Sequence, residues 1–195
     1  MEKIFTEQAL ESIEDKIKQH HQLYPNIPVN AQYWESIASQ SLNVIGWVAN
    51  NHNPNEDFNT EIKGLLNPSL KAGIYNGDVL EFSSHRMSKF NELPQMVNFL
   101  DSRDYDSYLF LSRKKNESFS HHYLVCYMES KKWKYSELIW TPIFGVRKNT
   151  IGKQQGWKGE GLDGKLTVRI NFKMSNQLWV EVDTSLITIV KEIFI

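Results

Sequence analysis

The stretch that decides the fold runs from Asn67 to Leu111 and reads NPSLKAGIYNGDVLEFSSHRMSKFNELPQMVNFLDSRDYDSYLFL. Its pattern predicts a turn, a strand over 78–84, a helix of about three turns and a second, apolar strand over 107–112. A strand, a helix and a strand in this order are typical of a βαβ unit with parallel strands. A site on such a sheet is expected where strand ends and loops meet.

Glu81 lies at the centre of the first of these strands. Side chains alternate along a strand, so Glu81 shares one face with Val79 and Ser83. A carboxylate at such a position is either solvated at a sheet edge or held in a site for a metal ion or a proton. The alternation alone leaves both interpretations open.

The order of motifs around Glu81, over about 45 residues, resembles the core of the PD-(D/E)XK nucleases, which include many type II restriction endonucleases. In that family a Pro-Asp pair precedes a strand that carries Glu-X-Lys. The acids bind a divalent metal ion, and the lysine positions or activates water. This chain has Pro68-Ser69 and Glu81-Phe82-Ser83, so serine replaces both the aspartate and the lysine of the family pattern.

The resemblance implies a DNA endonuclease of the restriction type that hydrolyses phosphodiester bonds with Mg²⁺. The residues that it implies for the metal and for catalysis are the acids Glu81, Asp78 and Asp57 and, as the displaced cation, Lys89, Arg86 or Lys71. Two alternatives stay open. One is a catalytically inactive nuclease-like subunit or DNA-binding protein with the same core, and the other is a protein-interaction α/β domain.

Charge is unevenly distributed along a chain whose net charge is only −1. Residues 131–173 contain ten Lys or Arg and three acids, whereas residues 1–130 contain eleven Lys or Arg and seventeen acids. A basic C-terminal region on an acidic body is the asymmetry expected where one face meets a polyanion. It is equally compatible with a solvated surface.

A glycine-rich segment from Pro142 to Gly164 contains residue types that suit nucleic acid. Lys and Arg contact phosphates, Gln reaches base edges, and Trp stacks on unpaired bases. The segment is predicted to be either a plain hairpin connector or a loop that contacts nucleic acid. The residues predicted for that contact, with two from neighbouring strands, are Arg86, Arg147, Lys148, Lys153, Gln154, Gln155, Trp157, Lys158 and Arg169.

The remaining periodicity completes a prediction of one α/β domain over residues 1–195. It consists of N-terminal helices, then a mixed central sheet with a βαβ core, and a C-terminal β-hairpin. The helices are predicted at about 6–20, 31–48 and 54–66, a central strand at 121–128, the hairpin at 166–172 and 177–183, and a final helix or strand over 187–194.

The environment and partners are also predicted. A single cysteine, Cys126, no signal-peptide pattern and no apolar run of about 20 residues favour a cytoplasmic protein without a membrane segment. The expected partner is DNA, double-stranded if the nuclease resemblance holds. Enzymes that read palindromic sites work as dimers, so a homodimer or a heterodimer is part of the same expectation.

Overall fold

A computed structural model describes residues 4–42, 68–115, 121–174 and 176–195. This part of the chain contains three α-helices and nine β-strands, with parallel and antiparallel pairing, so the predicted α/β class is confirmed. The predicted helix at 54–66 lies outside the described residues, as does Asp57. None of the described helices has the length and apolar character needed to cross a membrane.

The helices are α1 (Glu7–Leu23), α2 (Ala31–Ser41) and α3 (Leu93–Arg103). The strands are β1 (Pro68–Asn76), β2 (Val79–Arg86), β3 (Ser107–Lys114), β4 (His122–Met128), β5 (Ile139–Phe144), β6 (Gln154–Gly161), β7 (Leu166–Asn171), β8 (Gln177–Asp183) and β9 (Thr188–Phe194). Short 3₁₀ turns, among them Tyr135–Glu137, connect several of them.

The chain forms two compact units. The first is drawn from residues 1–76, 105–131 and 187–195, and the second consists of residues 77–104 and 132–186. Compact units are not by themselves independently folding domains, so the single domain over 1–195 stays a prediction.

The first unit packs α1 and α2 with strands in the order β1-β3-β4-β9. Thr6 caps α1 as predicted, since its hydroxyl oxygen accepts a hydrogen bond of 3.2 Å from the Ala9 amide. Ile13 and Ile17 on α1 and Trp34 on α2 are fully buried in one apolar core. β4 lies between β3 and β9, so its predicted central position is confirmed.

The parallel pair of this sheet differs from the prediction. β3 pairs in parallel with β1, with Ser69 opposite Tyr108, whereas the segment now seen as β1 was expected to be a turn. β2, the strand that carries Glu81, instead pairs antiparallel with β8 in the second unit. Gly73 and Gly77 suggested that this segment is a turn. The segment nevertheless forms a strand through Leu70, Ala72 and Ile74, because it pairs with β3.

The second unit contains α3 and five antiparallel strands in the order β5-β6-β7-β8-β2. Leu166, Val168 and Ile170 are fully buried, and the residues between them are partly exposed, as the alternation predicted. The predicted C-terminal hairpin is confirmed as β7 and β8. The final strand or helix is a strand, β9.

The glycine-rich segment forms β5, a loop over 145–153 and β6 rather than one long loop. Gly156 explains why glycine is used inside this sheet. A Cβ atom at Gly156 would lie 2.1 Å from the carbonyl oxygen of Ile170 on the paired strand, so only glycine permits this close approach. The glycines therefore serve strand packing as well as turning.

Candidate nucleic-acid interface

The antiparallel register brings one end of every strand in the second unit to the same place. Gly156, Asn171, Gln177 and Arg86 occupy one row across β6, β7, β8 and β2. Phe144 at the end of β5 pairs with Gln154 at the start of β6, beside that row. Three chain connections therefore meet at this end of the sheet: 145–153, 172–176 and 87–92.

This end of the sheet is cationic. Residues 84–92, 144–154 and 171–177 contain one acid, the exposed Glu92 at the end of the 87–92 connection. They contain six exposed cations, which define what is called here the cationic end: Arg86, Lys89, Arg147, Lys148, Lys153 and Lys173. Among residues 4–42, 68–115, 121–174 and 176–195, none of these six forms an ion pair. No acid of the described residues therefore neutralises their charge.

The opposite end of the same sheet is acidic. Its strand ends and turns carry four acids and, among them, the cation Lys165. The acids are Asp78, Glu160, Asp163 and Asp183. Hydrogen bonds from Ser185 lower the pKa of Asp183, and the charge of Lys165 adds to this effect. The unit is therefore electrically polarised along its strands, with the positive pole at the cationic end.

Side-chain amides fix the chain where β2 leaves the sheet. The Gln177 amide donates a hydrogen bond of 2.6 Å to the Ser84 carbonyl oxygen, and the Arg86 Nε donates one of 3.3 Å to Gln177 Oε1. The Met87 amide donates to the Asn176 carbonyl oxygen at 3.0 Å. Arg86 is thus held close to the loop that carries Lys173.

The loop between β5 and β6 is closed by its own backbone. The Gly145 amide donates to the Lys153 carbonyl oxygen at 3.0 Å, and the Thr150 and Ile151 amides donate to the Arg147 carbonyl oxygen at 2.7 and 3.0 Å. Gly152 adopts φ +72°, a conformation that other residues rarely take. The cations of this loop therefore sit on an ordered turn.

The predicted nucleic-acid contacts separate into two groups. Arg86, Arg147, Lys148, Lys153, Gln154 and Gln155 belong to the cationic end or begin the strand beside it. Lys158 instead forms an ion pair of 2.7 Å with Glu160, and Arg169 forms one with Glu181. Trp157 pairs with the buried Ile170 and shares its sheet face. These last three are not brought to the cationic end.

Glu81 lies on a half-exposed position of β2, directly opposite Glu181 on β8. The Glu181 carboxylate is the one that pairs with Arg169. Asp78 is exposed in the turn before β2, and Lys89 places its ammonium group 4.4 Å from the centre of the Phe99 ring. Among the described residues, the acid paired opposite Glu81 is Glu181 and not Asp78, while Asp57 lies outside the described ranges.

The described residues do not fit the Mg²⁺ site that the nuclease resemblance implies. Glu81 and Glu181 offer two carboxylates, and one of these is already neutralised by Arg169. Within the described ranges, no three His, Cys, Asp or Glu side chains are grouped so that they can hold a metal ion. Ser69, at the position of the family aspartate, is buried and offers a hydroxyl group in place of a carboxylate. The Mg²⁺ requirement stays a prediction.

The sequence analysis did not predict a hydrogen-bonded network that connects the side chains of Tyr135, Asp104 and His85. The Tyr135 hydroxyl donates to Asp104 Oδ2 at 2.5 Å, and His85 Nε2 lies 3.1 Å from Asp104 Oδ1. The Asp104 carboxyl group is fully buried, whereas 18% of the His85 side chain is exposed. The three residues lie far apart in the sequence, so no local motif marked them.

No protein-family model, curated protein or solved structure matches this chain. The resemblance to the PD-(D/E)XK nucleases therefore stays a prediction, based on the residues around Glu81.

Proposed function

We propose that this protein binds double-stranded DNA through the cationic end of its second unit. One observation carries the proposal: six exposed cations, from the end of β2 and from three separate connections, lie at one end of a sheet, and Glu92 is the one acid in these segments. Surface cations are usually paired or interspersed with acids, as Lys158 is with Glu160. A concentration of unpaired cations is the electrostatic feature expected for a polyanion partner.

The neighbouring polar groups support nucleic acid in particular. Gln154 and Gln155 begin β6 at the same end, and amide side chains suit both phosphate oxygens and base edges. The near-neutral net charge of −1 argues against attraction that is spread over the whole surface. Binding is therefore expected to be local to this end, and strongly salt-dependent, because each phosphate that is neutralised releases counterions.

The test is fluorescence anisotropy with a labelled DNA duplex of about 30 base pairs, titrated with the full chain at several KCl concentrations between about 50 and 200 mM. The test variant is Arg147→Ala/Lys148→Ala/Lys153→Ala. We expect the slope of log affinity against log salt to become less steep by up to about 0.9 for each cation that contacts a phosphate.

Two matched controls separate this effect from a general loss of positive charge. Lys165→Ala removes an exposed cation at the acidic end, and Lys158→Ala removes one that is paired with Glu160. Both should bind DNA with nearly the wild-type salt slope. Failure of the wild-type chain to bind at 50 mM salt, or equal losses for the triple variant and the controls, would exclude the proposal.

A second candidate function, cleavage of the bound DNA, is the one that the resemblance around Glu81 implies, although Glu81 and the Arg169-paired Glu181 opposite it do not by themselves form a Mg²⁺ site. Incubation of plasmid DNA with the protein and either Mg²⁺ or Mn²⁺ tests it. Cleavage by the wild-type chain that is lost in Glu81→Gln would support an endonuclease. If the plasmid stays intact with both metals, under conditions where the protein binds DNA, the protein binds DNA without cleaving it.

A further inference from the structure

The tip of the β5–β6 hairpin exposes apolar side chains in the middle of the cationic end. Val146 is 89% exposed, Ile151 67% and Phe144 54%. Exposed apolar residues in a group are uncommon on soluble proteins and mark surfaces that meet a partner. Here they are flanked by Arg147, Lys148 and Lys153, so the partner that suits both features is anionic and has an apolar interior.

The tip presents these side chains on an ordered backbone. An isolated bridge joins Gly145 to Ile151, beside the hydrogen bonds that tie Arg147 and Lys153 into the loop. A Cβ atom at Gly145 would lie 2.4 Å from the Thr150 side chain, so the two sides of the loop are in close contact. A preformed tip loses little conformational entropy when it inserts into a partner.

We propose that this hairpin tip inserts Val146 and Ile151 between adjacent base pairs of double-stranded DNA and kinks the duplex. This inference rests on the proposed DNA binding and specifies its mode. Proteins that kink DNA place aliphatic side chains as wedges between base steps while neighbouring cations hold the phosphates on either side. The tip supplies both kinds of residue within one loop.

The residue types favour a wedge in duplex DNA over a platform for unpaired bases. Single-stranded nucleic acid is bound chiefly by aromatic rings on which bases stack. The two most exposed apolar residues of the tip, Val146 and Ile151, are aliphatic, and Trp157 lies on β6 with the buried Ile170. Within residues 144–153 the one aromatic residue is Phe144.

The experiment measures DNA bending and DNA binding separately. A duplex of about 30 base pairs carries a donor dye at one end and an acceptor dye at the other, so a kink raises energy transfer. Anisotropy on the same duplex measures affinity. The test variant is Val146→Ser/Ile151→Ser, which keeps every cation. The matched control is Ile139→Ser, because Ile139 is 75% exposed on the same β5 strand but pairs with Glu160 at the acidic end.

We expect the wild-type chain and the Ile139→Ser variant to raise energy transfer. The double serine variant should bind with affinity reduced on the order of tenfold and leave the saturated duplex straight. Equal bending by the double variant, or wild-type binding without bending, would overturn the wedge while leaving the DNA-binding proposal intact.

If the protein does not bind DNA at all, the result is different, because no variant would then show a salt-dependent change in anisotropy.

An anionic membrane surface is the other partner that suits an apolar tip with flanking cations. Sedimentation with vesicles of phosphatidylserine and phosphatidylcholine tests it. Vesicle binding that depends on Val146 and Ile151, without bending of DNA, would assign the tip to a membrane and overturn the inference.

Discussion

Asp104 accepts a hydrogen bond of 2.5 Å from the hydroxyl group of Tyr135, and both side chains are fully buried. Asp104 follows α3 directly, and Tyr135 begins the 3₁₀ turn that leads into β5. The same carboxyl group contacts His85 near the end of β2. One buried carboxyl group thus joins three segments of the second unit.

We predict that Tyr135→Phe destabilises the protein by about 2 kcal/mol, because the buried Asp104 carboxyl group loses the hydrogen bond that the Tyr135 hydroxyl donates to its Oδ2 atom. Urea unfolding followed by circular dichroism measures the change. Tyr24→Phe, at an exposed tyrosine, is the control and should change stability by less than about 0.5 kcal/mol. A Tyr135→Phe variant as stable as this control would show that the hydrogen bond contributes nothing.

Local patterns were sufficient to predict most elements of the fold. Thr6 with the apolar spacing of Ile13 and Ile17 predicted α1, and alternation at Leu166, Val168 and Ile170 predicted β7. These signals arise from periodic burial within a single element, which the sequence displays directly. The class and the C-terminal hairpin followed from them.

Pairing between distant segments could not be predicted in the same way. Whether β3 pairs with β1 or β2 is decided by contacts that neither strand encodes alone, and the glycines around β1 favoured a turn locally. The same limit applies to the candidate site. The basic region was visible in the sequence, but the register that separates Lys153 from the paired Lys158 was not.

His21 should make the stability of the protein sensitive to acid. Its ring is buried, stacks on His121 at 3.9 Å between ring centres, and has Nε2 2.8 Å from the Tyr123 hydroxyl oxygen. Burial lowers the pKa of His21 to about 4, and the charges of His121 and His20 add to this effect. His21 therefore binds a proton less readily in the folded protein than in the unfolded chain, where it is protonated near the ordinary histidine pKa of about 6.5.

Because the unfolded state binds more protons in this window, the free energy of unfolding should fall as the pH drops from about 6.5 to about 4. The contribution of His21 to this fall is roughly 3 kcal/mol. Urea unfolding at intervals across this range measures it. His21→Asn removes the titrating group and should flatten the dependence, whatever its stability at pH 7. An equally steep fall in His21→Asn would assign the acid sensitivity to other groups.

Cys126 is predicted to be unreactive in the folded protein. The thiol is fully buried on β4, and this burial raises its pKa to about 12, so almost no thiolate is present at neutral pH. Labelling with a thiol-specific disulfide reagent at pH 8 should be slow in buffer and fast in urea above the unfolding transition. Fast labelling in buffer would mean that β4 opens without global unfolding.

Gly156→Ala should weaken the sheet that carries the cationic end. The added Cβ atom would meet the Ile170 carbonyl oxygen at 2.1 Å, and relief requires β6 and β7 to separate, which we expect to cost more than about 2 kcal/mol. Gly152→Ala is the control, because its Cβ meets nothing within 4 Å and only the φ of +72° opposes it, at about 1 kcal/mol. Thermal unfolding ranks the two variants. A Gly152→Ala variant less stable than Gly156→Ala would contradict the packing of β6 against β7, on which the alignment of the cationic end depends.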